Sequence, residues 1–94
     1  MSVSTHVLDT ERGAPAAGVR VELWDGLDLV GSGVTGADGR IAELSGAGRG
    51  TYRMVFFPLT PFFRRVEFEV VLGEGHHHVP LLISSFGCAS YRGS

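Results

Sequence analysis

A period of two constrains this chain more than any other feature. Val19-Arg20-Val21-Glu22-Leu23 and Val66-Glu67-Phe68-Glu69-Val70 alternate apolar and charged residues, the pattern of a strand that buries one face. Tyr52-Arg53-Met54-Val55-Phe56-Phe57 is aromatic and β-branched, which also suits a strand. Val3 to Leu8, Leu29 to Val34, Arg40 to Leu44, His77 to Ile83 and Phe86 to Arg92 are further strand candidates. No segment carries a helical stripe. Turn chemistry separates the segments at Gly13 to Pro15, Ala37-Asp38-Gly39, Gly46 to Gly50 and Gly73 to Gly75, and Asp38-Gly39 predicts a hairpin turn. About eight short strands at this spacing predict an all-β, two-sheet sandwich.

A sandwich of 94 residues is one domain, 1–94, with a limited core. A chain of this size buries only about 60–68% of the surface its unfolded form exposes. Small folds are often stapled by disulfides, metals or assembly. Cys88 is the only cysteine, so no disulfide forms within one chain. Open sheet edges favour pairing between copies, and lysine, the common edge blocker, is absent. Oligomerisation is therefore expected.

Net charge is −2, and every base is an arginine. Arg12, Arg20, Arg40, Arg49, Arg53, Arg64, Arg65 and Arg92 are scattered without forming a basic stripe, which argues against a nucleic-acid partner. No apolar run reaches the ~18 residues of a membrane span. Met1 to His6 has neither a basic region nor an apolar run, so no secretory leader and no membrane partner are expected, and a cytoplasmic location is.

Few residues suit chemistry. His76, His77 and His78 are consecutive and internal. On a strand His76 and His78 share a face and His77 takes the other. Two such imidazoles are a possible metal pair, although among the neighbouring residues only Glu74 would add a ligand. His6 shares a face with Ser4 and Leu8, and a strand histidine is either structural or a general base. Arg40 follows the Asp38-Gly39 turn. An arginine there would lower the pKa of nearby histidines and clamp a carbonyl or anion. Gly93-Ser94 reads in isolation as a frayed end. No nucleophile elbow, phosphate loop or dinucleotide fingerprint is present.

Four segments together resemble the 5-hydroxyisourate hydrolases, transthyretin-like enzymes of urate breakdown. They are Ser4-Thr5-His6-Val7-Leu8-Asp9-Thr10 with Gly13 to Val19, Thr35 to Arg40, His76-His77-His78-Val79-Pro80-Leu81-Leu82, and the terminal Tyr91-Arg92-Gly93-Ser94. The resemblance implies a transthyretin-like sandwich. It implies a homotetramer with active sites in a channel between two dimers, and 5-hydroxyisourate as the small-molecule substrate. The product would be 2-oxo-4-hydroxy-4-carboxy-5-ureidoimidazoline. His6, Arg40, His78 and Ser94 match the family's catalytic set. Tyr91, Arg92 and Gly93 of the tail, with His76, are the candidate substrate-binding residues. No metal and no organic cofactor is implied.

The chemistry suits these residue types. Opening a cyclic amide with water needs a base, an oxyanion partner and help for the leaving nitrogen. His6 and His78 can be base and acid in either order, with His78 favoured as the base. Arg40 can hold the oxyanion and Ser94 can orient water. The alternative is a non-catalytic transthyretin-like protein that binds a small ligand in the same channel. A metal site at His76 and His78 is a third reading. Three departures stand out. The stretch between Phe56 and Val66 is shorter than in the family, so its usual short helix should be reduced or absent. His77 and Cys88 each stand where the family commonly has tyrosine.

Overall fold

The computed structural model describes residues 1–45 and 48–93. These residues form ten strands: β1 (Ser2–Asp9), β2 (Ala14–Pro15), β3 (Arg20–Asp25), β4 (Asp28–Val34), β5 (Arg40–Ser45), β6 (Gly50–Phe57), β7 (Val66–Leu72), β8 (His76–His78), β9 (Leu81–Ile83) and β10 (Cys88–Ser90). The expected two-sheet, all-β architecture is present, with ten strands instead of about eight. Two local events make the difference. The His77–Ile83 candidate is interrupted at Val79-Pro80, giving β8 and β9, because proline lacks the N–H that a ladder needs. Ala14–Pro15, read as a turn, instead pairs with Leu8 and Asp9.

One sheet is antiparallel with the order β4-β3-β6-β7. The other is built around β1. β5 and β2 pair antiparallel to β1, β8 and β9 pair parallel to it, and β10 extends the sheet beyond β9. Alternation decides what each strand buries. Val3, Thr5 and Val7 of β1 are buried, while Ser4, His6 and Leu8 face away from the core and are half-buried. Leu44, Val79, Leu81 and Ile83 join β1's inner face. Val21, Leu23, Tyr52, Met54, Phe56, Val66 and Leu72 come from the opposing sheet. Each large side chain so buried contributes about 1.5–3 kcal/mol. The buried hydroxyls are satisfied: Thr5 Oγ1 donates to the Val79 carbonyl at 2.6 Å and Thr35 Oγ1 to the Ala16 carbonyl at 2.7 Å.

No helix occurs among the described residues, in line with the shortened segment after Phe57. Pro58 and Pro61 remove two backbone donors there, and Thr60 Oγ1 closes the stretch by accepting from the Phe63 N–H at 2.9 Å. No helix is therefore long and apolar enough to cross a membrane among these residues.

The Asp38-Gly39 turn differs from its expectation. It does not join a hairpin, because β4 and β5 lie in different sheets. The hairpin lies at Asp25-Gly26-Leu27-Asp28, where Asp25 pairs with Asp28 across a two-residue loop. Gly39 instead crosses between sheets at φ 75°. Its carbonyl accepts from the Val7 N–H at 2.8 Å. A Cβ at this position would sit 2.5 Å from the Val7 carbonyl oxygen and 2.9 Å from Pro15 Cβ. Gly39→Ala therefore combines left-handed strain with a backbone clash and should cost about 2–4 kcal/mol. Gly13→Ala, at φ 63° with nothing within 4 Å, should cost only about 1–2 kcal/mol. Urea unfolding of both variants checks this, and equal midpoints would refute the proposed clash.

Candidate functional site

The outer face of β1 presents Ser2, Ser4 and His6. Parallel pairing with β8 sets His76 opposite Ser2 and His78 opposite Ser4. Antiparallel pairing with β5 sets Arg40 opposite His6. Directly opposed residues share a face with Cβ atoms about 4.5–5.5 Å apart. Three imidazoles, two hydroxyls and a guanidinium therefore meet on one face of one sheet.

Arg40 reaches that face through a bulge. On β5, Leu44 pairs with Val3 and Ile41 pairs with Thr5. Three steps along β5 thus span two along β1, so both Leu44 and Ile41 point inward. Strict alternation from Leu44 would have turned Arg40 into the core. The extra residue reverses its direction and sets it beside His6, as bulges do near functional sites. The signal is visible in Arg40-Ile41-Ala42-Glu43-Leu44, whose two large apolar residues stand three apart instead of two.

Hydrogen bonds fix the imidazoles. His6 Nε2 lies 2.9 Å from the Asp38 carbonyl oxygen. A carbonyl only accepts, so Nε2 carries the hydrogen and Nδ1 is the basic nitrogen. Asp38 also uses Oδ1 to accept from the Arg40 N–H at 3.0 Å, so one turn residue orients both neighbours. Ser4 Oγ lies 2.8 Å from His78 Nδ1 and 2.9 Å from His76 Nε2, and Ser2 Oγ lies 2.7 Å from His76 Nδ1. The role of Ser2 and Ser4 was not foreseen from the sequence, since it depends on the parallel register of β8. His77 takes the other face, as alternation requires, and its Nε2 donates to the Gly73 carbonyl at 3.0 Å.

The C-terminal tail docks on His78. The Gly93 N–H donates to the His78 carbonyl at 2.7 Å. A Cβ on Gly93 would lie 2.7 Å from His78 Cδ2, so only glycine lets the tail approach the ring this closely. Ser94, the fourth candidate catalytic residue, lies outside the described residues. Tyr91 and Arg92 line a hollow of about 300 Å³ together with Phe68, Val70 and Leu72 of β7. The site itself is an open sheet face, with His6 and His78 half-buried and Arg40 and His76 exposed. No group of three or more His, Cys, Asp or Glu side chains among the described residues is arranged to hold a metal. The possible metal pair His76 and His78 instead shares the Ser4 hydroxyl.

Burial, the Arg40 guanidinium and the neighbouring His6 and His76 rings all hold the His78 imidazole below its ordinary pKa of 6.5. A neutral ring is what a general base requires. The unfolded chain protonates this group at higher pH than the folded one does. The folded state therefore loses stability as pH falls below 6.5 and is unaffected above it. An NMR titration should place the His78 midpoint below 6.5 and move it upward in Arg40→Gln. A midpoint at or above 6.5 would contradict the electrostatics of this face.

The model of the HIUase/Transthyretin family matches residues 3–93. A 5-hydroxyisourate hydrolase from Deinococcus radiodurans is 37% identical over 113 aligned positions, covering 98% of this chain and 95% of that protein. The structure of Klebsiella pneumoniae 5-hydroxyisourate hydrolase superimposes with a TM-score of 0.89 at 36% identity, covering 100% of both chains. Sea bream transthyretin in complex with thyroxine matches with a TM-score of 0.87 at 25% identity, covering 97% of this chain and 93% of that one.

Proposed function

The chain belongs to the HIUase/Transthyretin family, and from that premise we propose that it hydrolyses 5-hydroxyisourate in urate degradation. The observation that carries the proposal is the meeting of His6, Arg40 and His78 on one sheet face, by the registers of β5 and β8 on β1. The reaction adds water to the carbonyl carbon of a cyclic amide and breaks its bond to nitrogen. His78, kept neutral by burial and by Arg40, takes a proton from the attacking water. Arg40 supports the negative charge that develops on the carbonyl oxygen. His6 assists the leaving nitrogen. Ser94, carried by the tail that Gly93 docks against His78, orients water or a substrate amide, and Tyr91, Arg92 and Gly93 with His76 shape the substrate's place. No step in this scheme calls for a metal or an organic cofactor.

Purified protein should accelerate the decay of freshly generated 5-hydroxyisourate. His78→Ala and Arg40→Ala should each lose about 10²–10⁴-fold of that acceleration. Decay no faster than in buffer would sink the proposal. Ligand binding without turnover would favour a carrier resembling transthyretin.

The proposal extends to assembly as a homotetramer. The catalytic face is open: none of the hollows of about 140, 300 and 460 Å³ is lined by His6, Arg40 or His78, and Tyr91 and Arg92 line the second of them. A face that excludes water would be completed by a second copy. β7, β4 and β10 are edge strands, and Val71 on β7 is 82% exposed, which suits pairing between copies. Light scattering at micromolar concentration should give four times the chain mass of 10.0 kDa. A monomeric mass with full activity would refute the shared-site arrangement.

A further inference from the structure

Hydrolysis of a cyclic amide to a carboxylate leaves one proton over, given the hydrolase reading on which this inference rests. Water contributes its oxygen to the carbonyl carbon and one hydrogen to the leaving nitrogen. The resulting carboxylic acid is ionised at neutral pH, and a ureido nitrogen is too weak a base to take up the proton released. One proton must therefore reach solvent in each turnover. His78 is half-buried, and Gly93 packs against its ring, so the imidazole has limited direct contact with water.

We propose that Ser4 and His76 form a proton relay that drains His78 to solvent. Ser4 Oγ lies within hydrogen-bonding distance of both rings, 2.8 Å from His78 Nδ1 and 2.9 Å from His76 Nε2. His76 Nδ1 lies 2.7 Å from Ser2 Oγ, and His76 is exposed. The groups alternate imidazole, hydroxyl, imidazole, hydroxyl; each ring can donate from one nitrogen and accept at the other, and a hydroxyl can do both. With His78 Nε2 acting as the base, the resting direction is set. His78 Nδ1–H donates to Ser4 Oγ, Ser4 O–H donates to His76 Nε2, and His76 Nδ1–H donates to Ser2 Oγ. When Nε2 gains a proton from water, the Nδ1 proton moves to Ser4 while the Ser4 proton moves to His76 Nε2. His76 then releases its Nδ1 proton to solvent. One proton enters and one leaves, and proton-neutral tautomer exchange through water returns each ring's hydrogen to Nδ1 before the next turnover.

Other groups facing His78 cannot do this. The Arg40 guanidinium stays charged and has no lone pair to accept a proton. His6 lies on the same sheet face, but its Nε2 is engaged by the Asp38 carbonyl and the hydroxyl bonded to His78 Nδ1 leads to His76. Gly93 offers only backbone. Ser4 touches no reacting atom in this scheme. It acts through His78, as a positioning residue that also carries the proton.

The test measures hydroxyisourate decay by the full-length protein, with added imidazole buffer at low and high concentration. At low buffer Ser4→Ala should lower kcat by roughly 10- to 100-fold, toward the lower end of general acid–base effects, and leave KM within about twofold. Added imidazole should restore kcat in a saturable way, because a mobile base replaces the missing hop. Ser4→Thr, which keeps the hydroxyl, should retain activity in low buffer. Wild-type kcat in Ser4→Ala at low buffer would overturn the relay. So would a loss of kcat that imidazole does not restore, or inactive Ser4→Thr that is folded by circular dichroism. Wild-type protein that fails to accelerate decay would overturn the hydrolase reading itself, and the relay with it.

Discussion

The structure depends first on the backbone pairing of β1 with unlike neighbours. Antiparallel pairing brings β5 beside it, and parallel pairing brings β8 and β9. Each ladder hydrogen bond contributes only about 0.5–1.5 kcal/mol net, yet the ladder fixes every side chain's direction. A slip of one residue on β1 would carry His6 into the core and expose Val7. The requirement that Val3, Thr5 and Val7 be buried therefore also aims Ser2, Ser4 and His6 outward. Stability and chemistry share one register. Arg40 needs a separate device, because regular pairing would bury it. The bulge on β5 supplies that device and at the same time turns Ile41 inward beside Leu44.

The electrostatics of this face follow from the same pairing. A guanidinium is charged at any accessible pH, whereas imidazole titrates near neutrality. Placing Arg40 with His6 and His76 around a half-buried His78 makes the proton, not the ring, the unwelcome guest. The same positive charge would favour a substrate oxygen that becomes negative in the transition state. Hydroxyl groups complete the arrangement because they add no charge. Ser4 Oγ contacts both rings without adding the negative charge by which a carboxylate would favour an imidazolium.

Much of this was legible in the sequence, and the exceptions have physical causes. Alternation correctly assigned the inner and outer faces of β1 and separated His77 from His76 and His78. The two prolines after Phe57 correctly discouraged a helix. Edge bonding was harder to read. Ala14–Pro15 has turn composition, yet it pairs with Leu8 and Asp9 because the chain returns beside β1. Asp38-Gly39 and Asp25-Gly26 carry the same dipeptide, but only the second closes a hairpin. Gly39 is instead confined by Val7 and Pro15, which are distant in sequence. The Ser4 contacts lay beyond local patterns altogether. They arise from a parallel register between residues 74 apart, which no period within either segment encodes.

The direction of the relay gains meaning from the face on which it lies. A site that opens an amide benefits from excluding bulk water, since charges interact more strongly where water is absent. A second copy packed over His6, Arg40 and His78, as proposed above, would block escape along the normal to the sheet. A proton released under that cover would leave within the plane of the sheet instead. The path from His78 through Ser4 to His76 does this. It steps between neighbouring strands toward the N-terminal end of β1, where His76 and Ser2 pair at the strand start. Pairing in register makes the steps possible, and its parallel direction sets their order. It offsets the rings of i and i+2 residues along β8 by the same interval that separates Ser2 from Ser4, so hydroxyl and imidazole interleave. Antiparallel β8 could bring one ring to Ser4, but the order of the pair along β1 would reverse. His78 would then lie at the sheet's end, and His76 beside His6.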